Sequence, residues 1–239
     1  MHRPNSLTTL SALALILLVI VMASSAVGCS SGGDDAVDPV QAFADSAEAM
    51  KAMQSFHFTY EVTKPKDAPA SDGVEIVRIV GDVIADGNMQ ATIDLLQKGV
   101  PLQVAFVAAG ATHYIQDPTS QKWQSVPAAF SPVGSLNLNK GTIQVLERIG
   151  ESEYVGTEDL GGTNTYHLKG VVQAADVAAI AGSTTASDPF EGEVWIGVDD
   201  HFVRRIVIAG AATANEVDGT IRTIELSAFD EPLEIPPPQ

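Results

Sequence analysis

The sequence predicts an α+β domain built on one antiparallel sheet. About ten segments read as strands, and many of them alternate apolar and polar residues with a period of two, the pattern of half-buried strands. Tight turns such as Asp86-Gly87-Asn88 join most of them, as in β-hairpins. Parallel strands need crossovers of about a dozen residues or more, and few connections in this chain are that long. The sheet is therefore antiparallel, and three further segments are predicted to be helices.

The first element is a helix that begins after Asp38. Asp38 suits the N-cap, Pro39 the first helical position and Gln41 a capping-box position. Apolar residues then recur at helical spacing up to about residue 54, so the helix is amphipathic. They are Val40, Phe43, Ala47 and Met50, with Ala44 or Met53.

The strands follow in order, separated by turn residues. In the N-terminal half they cover residues 56–63, 74–85, 89–95, 102–109, 112–116 and 123–126. Residues 127–139 are irregular, and a short helix follows at 142–149 with Ile143, Leu146 and Ile149 on one side. The remaining elements are two hairpins (153–159 with 164–172, and 190–198 with 202–209), a helix at 174–181, a strand at 219–227 and an extended proline tail.

Several strands are apolar on both faces and therefore need cover on both sides. In the second strand one face carries Val77, Ile79 and Val83, and the other carries Ile76, Val80 and Ile84. Two arrangements meet this need. Helices can pack on one face with loops on the other, or a curved sheet can line an apolar cavity with its concave face.

The N-terminus is a targeting segment. Arg3 provides a basic start, and the apolar run at 10–22 has the length of a signal-peptide core but is short for a membrane span. Small residues follow, and Cys29, the only cysteine, comes directly after them. We therefore predict a signal peptide over residues 1–28, with cleavage before Cys29.

The segment Ala26-Val27-Gly28-Cys29 resembles a bacterial lipobox, in which the cysteine is acylated, for instance with palmitate. The alternatives are a secreted protein with a spare cysteine and an uncleaved anchor that runs on to Val27. Acylation fits better, because a lone cysteine rarely falls at this place by chance. Two or more acyl chains anchor a protein stably, which puts it at the extracytoplasmic face of the cell membrane. Residues 29–37 are then the lipidated cysteine with a flexible tether, and residues 38–239 a single domain.

Charge and motifs exclude several functions. Lys and Arg total 13 against 30 Asp and Glu, and the formal charge of −17 repels nucleic-acid phosphates. No nucleophile elbow, P-loop or dinucleotide-binding glycine motif occurs. The mid-chain histidines never have the spacing of a helical metal pair; they are His57, His113, His167 and His201. We therefore predict no nucleic-acid partner, no enzyme activity, no catalytic residue, no metal site and no cofactor.

Five segments of the C-terminal half form a recognisable series: YVGTE (154–158), TYHLKG (165–170), GEVWIGVDDH (192–201), VRRI (203–206) and TIELSAFDE (223–231). In their order and spacing they are similar to the LppX/LprG-type bacterial lipoproteins. The resemblance implies an antiparallel half-barrel like that of the LolA and LolB carriers, with helices over its concave apolar face. It also implies a monomer that binds an acylated lipid or glycolipid in a hydrophobic cavity and carries it across the cell envelope, with a membrane transporter as a further partner.

Strand parity then assigns the cavity wall. The residues predicted to face the cavity are Phe58, Tyr60, Val77, Ile79, Ile93, Leu95, Val104 and Phe106. Ile143 and Leu146 are predicted to belong to a movable cover. A shift of one residue in a strand would exchange its two faces. The alternative function is a lipoprotein with a filled core that serves as a structural or sensory partner of a membrane protein.

Overall fold

An open antiparallel sheet forms the frame of the protein. The computed structural model describes residues 37–69, 72–128, 131, 133, 136–214 and 216–239, so the predicted signal peptide and Cys29 lie outside the described residues. The strands are β1 (Ser55–Thr63), β2 (Val74–Ile84), β3 (Met89–Gln97), β4 (Val100–Ala109), β5 (Thr112–Gln116), β6 (Trp123–Pro127), β7 (Gly150–Leu160), β8 (Thr163–Val172), β9 (Phe190–Gly197), β10 (Val203–Ala209) and β11 (Ile221–Ser227).

The sheet consists of two meanders joined in the middle. Its strand order is β6-β5-β4-β3-β2-β1-β11-β10-β9-β8-β7, and every pairing is antiparallel. Consecutive strands therefore pair with each other except for β6 and β7, which form the two edges of the sheet, and the two meanders are joined where β1 pairs with β11. The predicted α+β class and antiparallel sheet are confirmed.

Three helices accompany the sheet: α1 (Pro39–Ala52), α2 (Leu138–Arg148) and α3 (Ala174–Ala181). The carboxylate of Asp38 accepts a hydrogen bond from the backbone nitrogen of Val40 at 2.9 Å, which caps α1 as expected. Helix α2 begins four residues earlier than predicted, because the side chain of Asn137 caps it at the nitrogen of Lys140. Within the described residues, none of the helices has the length and apolar character needed to cross a membrane.

The helices cover one side of the sheet, here called the inner face. Gly170 and Gly192 are register partners on this face, in β8 and β9. A Cβ on Gly170 would lie 2.6 Å from a side-chain carbon of Ile149, and one on Gly192 would lie 3.8 Å from the same side chain. The side chain that follows α2 therefore rests directly on the sheet, in a space that two glycines leave open.

Polar side chains tie the three helices into one layer. Lys51 of α1 lies 2.7 Å from a carboxylate oxygen of Glu147 in α2. Hydrogen bonds to Glu147 and Glu48 raise the pKa of Lys51 to about 12. Asp176 of α3 is buried and accepts hydrogen bonds from Gln144 at 2.6 Å and Arg148 at 2.9 Å, both in α2.

Gly81 of β2 is required by close packing against β3. A Cβ at this position would stand 2.1 Å from the backbone oxygen of Gln90 and 2.7 Å from the Cβ of Ala91. Contacts below 3.0 Å with backbone atoms cannot be relieved by a side-chain rotation. A larger residue would therefore push the two strands apart at the centre of the N-terminal meander.

Gly81→Ala is expected to lower the free energy of unfolding by about 1–3 kcal/mol, the usual cost of overpacking. Gly150→Ala is the matched control, because nothing lies within 4 Å of its Cβ position. The control is expected to change stability by less than about 1 kcal/mol. Urea unfolding followed by circular dichroism measures both, and equal stability of the two variants would contradict the prediction.

Candidate functional site

The inner face is a continuous apolar surface. One transverse row of register partners crosses nine strands from β7 to β4. Its members are Tyr154, Leu168, Val194, Ile206, Ile224, Tyr60, Ile79, Ile93 and Val104. All but the outermost, Tyr154, are buried under the helices and loops.

Most of the predicted wall residues lie on this face. Those that are buried there are Phe58, Tyr60, Ile79, Ile93, Leu95, Val104 and Phe106. The cross-strand register brings them together, since Tyr60, Ile79 and Ile93 are successive partners. Whether they contact a ligand stays a prediction.

Val77 does not lie on the inner face. The register of β2 against β3 shifts between Ile76 and Arg78, which is a β-bulge. Ile76 consequently pairs with Leu95 on the inner face, and the side chain of Val77 is 39% exposed. The prediction for Val77 assumed that side chains alternate strictly between the two faces of β2. The extra residue of the bulge reverses the faces on one side of it.

The two predicted cover residues differ in their placement. Leu146 is buried in α2, as expected, but Ile143 is only half-buried. The helix starts at Leu138, and its buried stripe continues through Thr142 and Val145. Ile143 is five residues from Leu138, so the helical rotation of about 100° per residue carries it off that stripe.

The C-terminal half contributes as much of the inner face as the N-terminal half, which the sequence-based assignment missed. Leu168, Val194, Ile206, Ile208 and Ile224 are fully buried there. The signal was present, because the same alternation of apolar residues runs through these strands.

A cleft of about 390 Å³ opens where the inner face meets the end of α3. Its apolar side is formed mainly by Tyr60, Val62 and Ile76 from β1 and β2. Its polar side includes Lys64, Glu75, Ser183, Thr213 and Glu216. The cleft thus joins the apolar interior to a polar rim at the surface.

A buried ion pair supports this rim. Arg222 of β11 is charged but occupies an inner-face position, in the same alternation as Ile224 and Leu226. It is therefore only 1% exposed. One guanidinium nitrogen donates to the carbonyl oxygen of Gly210 at 2.8 Å, and the other pairs with Glu216. These bonds compensate a charge that would be costly to bury alone.

The pair also shapes the environment of Tyr60. Burial raises the pKa of Tyr60 to about 12, and the nearby Arg222 guanidinium opposes that shift. The phenol is therefore a neutral hydroxyl at the inner end of the cleft at physiological pH.

The charges at the mouth are paired as well. The ammonium nitrogen of Lys64 lies 2.7 Å from a carboxylate oxygen of Glu75. In the part of the chain that the structure describes, no three His, Cys, Asp or Glu side chains form a group that could hold a metal ion. The arrangement places apolar side chains of the inner face beside a polar, charge-paired rim in one cleft.

Comparisons with known proteins agree with this architecture. A family model described as LppX_LprAFG lipoprotein matches residues 38–235. The chain is 28% identical over 198 residues to the lipoarabinomannan carrier protein LprG of Mycolicibacterium smegmatis, covering 78% of this chain and 81% of LprG.

Two solved structures share the fold. LprF from Mycobacterium bovis is 19% identical with a TM-score of 0.64, and the match covers 84% of this chain and 96% of LprF. The lipoprotein LppX of Mycobacterium tuberculosis is 20% identical with a TM-score of 0.57, and the match covers 83% of this chain and 98% of LppX.

The raised pKa of Tyr60 predicts a loss of stability in alkali. The unfolded chain releases this proton near pH 10 and the folded chain near pH 12, so the free energy of unfolding falls as the pH rises between these values. The slope is about 1.4 kcal/mol per pH unit. Urea unfolding at pH 9, 10 and 11 should show a steeper fall in the wild type and in Tyr114→Phe than in Tyr60→Phe, where only other groups with a raised pKa, such as Lys51, still contribute. An identical slope in Tyr60→Phe and the wild type would contradict the assignment.

Proposed function

The chain belongs to the LppX_LprAFG lipoprotein family, and from that premise we propose that it binds an acylated lipid or glycolipid and carries it across the cell envelope. The observation that carries the proposal is the apolar inner face, which crosses nine strands beneath a layer of three helices. The name of the LprG relative, a lipoarabinomannan carrier, supports the same class of ligand.

Lipid transfer requires a protein surface that shields acyl chains from water, as the apolar inner face could do. Each methylene group buried away from water contributes about 0.8 kcal/mol, so a lipid with long acyl chains leaves a bilayer very slowly without help. A carrier must offer equivalent apolar burial and keep the polar headgroup near water. The inner face supplies the burial, and the cleft rim supplies the polar end.

The helix layer is suited to move. The ion pair that joins α1 to α2, between Lys51 and Glu147, has side chains that are 42% and 44% exposed. The pair that joins α2 to α3 has one exposed partner, Arg148, and one buried partner, Asp176. Exposed ion pairs stabilise a structure only weakly. The cleft of about 390 Å³ is also at the small end for a ligand site. A lipid with two chains would therefore enter by displacing the helices from the sheet, with its chains replacing helix side chains against the inner face.

We propose that acylated Cys29 anchors the protein and that the protein catalyses no reaction. Acylated Cys29 would hold the protein at the extracytoplasmic face of the membrane, with residues 30–37 as a tether. Binding and release require no covalent step, so we propose a monomeric carrier that is not an enzyme and needs no cofactor. A membrane transporter would deliver or accept the lipid.

A structural or sensory partner of a membrane protein is the second candidate. It is favoured by the full burial of side chains such as Ile79, Val194 and Ile206, which fill the space beneath the helices. The two functions differ in whether lipid enters that space.

Native mass spectrometry tests the carrier function directly. The chain from Ser30 onward, expressed in a lipid-containing host, is expected to retain about one acylated lipid per chain. Leu95→Gln places an amide on the inner face and should weaken lipid binding about tenfold, because a buried amide without a partner is costly. Leu96→Gln, next to it on the opposite face of β3, is the matched control and should bind normally. A bare mass that also takes up no lipid from vesicles would favour the partner function instead.

The anchor has its own test. Cys29→Ala is expected to abolish incorporation of labelled palmitate, because the thiol is the acceptor of the acyl chain. Labelling that persists in this variant would exclude Cys29 as the acylation site.

A further inference from the structure

A histidine interrupts the apolar inner face near its β6 edge. His113 of β5 is the register partner of Ala108 in β4, and the inner-face residue Phe106 lies two residues before Ala108. Residues two apart in a strand lie on the same face, so His113 faces inward as well. The rings of His113 and Phe106 meet edge to face, with their centres 5.1 Å apart and their planes at 83°.

The His113 side chain is buried without a full set of hydrogen bonds. The residue is 7% exposed, and its Nδ1 has no hydrogen-bond partner in the part of the chain that the structure describes. Burying a polar nitrogen without a partner costs free energy, so such groups are rare and need an explanation. The other members of its row of register partners are apolar: Phe56, Val83, Met89, Ala108 and Val126.

We infer that His113 binds a hydroxyl group carried by an acyl chain of the ligand, at a distance from the headgroup. The inference rests on the proposed function, in which acyl chains lie against the inner face, and deepens it by naming a substituent of the chain. A plain hydrocarbon chain over this row would contact the apolar side chains and leave Nδ1 unpaired. A chain with a hydroxyl at the matching depth would make the same contacts and supply the missing partner.

The chemistry of His113 favours a hydroxyl over other polar groups. Burial lowers the pKa of His113 below its usual value, so the imidazole is neutral at physiological pH. In a neutral imidazole one ring nitrogen donates and the other accepts. A hydroxyl can pair with Nδ1 in either tautomer, whereas a carbonyl oxygen can only accept. A carboxylate would be costly to bury in this apolar row.

The sheet geometry places His113 deep along the acyl chain. Tyr60 lines the cleft, and Phe56 precedes it on β1 by about 13 Å at the usual rise per residue. From β1 to β5 the sheet extends sideways by about 19 Å at the usual strand spacing. A lipid whose headgroup lies at the cleft would therefore bring the far end of a long chain to His113, and not its first carbons.

The test compares two lipids that differ only in a chain hydroxyl. The mature full-length lipoprotein in a non-ionic detergent is incubated with equal amounts of two galactosyl-diacylglycerols, and bound lipid is counted by native mass spectrometry. One lipid has plain stearoyl chains, and the other has stearoyl chains hydroxylated at the carbon before the terminal methyl. The wild type is expected to favour the hydroxylated lipid by about tenfold.

The outcomes separate the inference from the function on which it rests. Equal uptake, or a preference for the plain lipid, would overturn the inference and leave the carrier function standing. Uptake of neither lipid would overturn the carrier function, and the inference with it.

Variants of His113 locate the hydroxyl site. His113→Leu keeps a side chain of similar size without a hydrogen-bonding group, so it should abolish the preference and still bind the plain lipid. His113→Gln should keep part of the preference, because its amide can both donate and accept. His57→Leu is the matched control, since His57 lies on the opposite face of β1 from Phe58, and it should keep the wild-type ratio. If His113→Leu folds normally by circular dichroism and keeps that ratio, His113 does not bind the hydroxyl.

Discussion

The structure depends on one requirement, which is to keep water away from the apolar face of a sheet that does not close. A closed barrel buries its inner side chains against each other, but this sheet ends at β6 and β7. Its inner face must therefore be covered by other elements. The three helices supply that cover, and the glycine pair at Gly170 and Gly192 makes room for Ile149.

The same requirement explains where the polar groups are found. Bonds between helices, such as those of Lys51 and Asp176, lie within the cover, and the side-chain amide of Asn139 in α2 donates to the carbonyl oxygen of Ala85 directly after β2. The ion pair of Arg222 and Glu216 lies at the cleft, where the inner face reaches the surface. Apolar contact with the sheet is non-directional, so an acyl chain can replace a helix side chain there without leaving a hydrogen bond unmade.

Local patterns predicted the elements well and some faces poorly. All eleven strands occur where the alternation of residues places them, because a half-buried strand leaves a period of two in the sequence. Val77 was assigned to the wrong face because a bulge inserts one residue, and the alternation does not reveal it. Ile143 is only half-buried, because the buried stripe of α2 runs through Leu138, Thr142 and Val145 and the helical rotation places Ile143 to one side of it.

The sequence by itself determined the fold class, the family and most of the buried inner-face positions of the N-terminal half, since these follow from short-range periodicity and local segment similarity. The tertiary structure alone decided the pairing of β1 with β11, and with it the cleft. That pairing brings Tyr60 close to Arg222, more than 160 positions further along the chain. Cross-strand register between such distant segments arises from the burial of the whole inner face at once. No local preference of either strand encodes it.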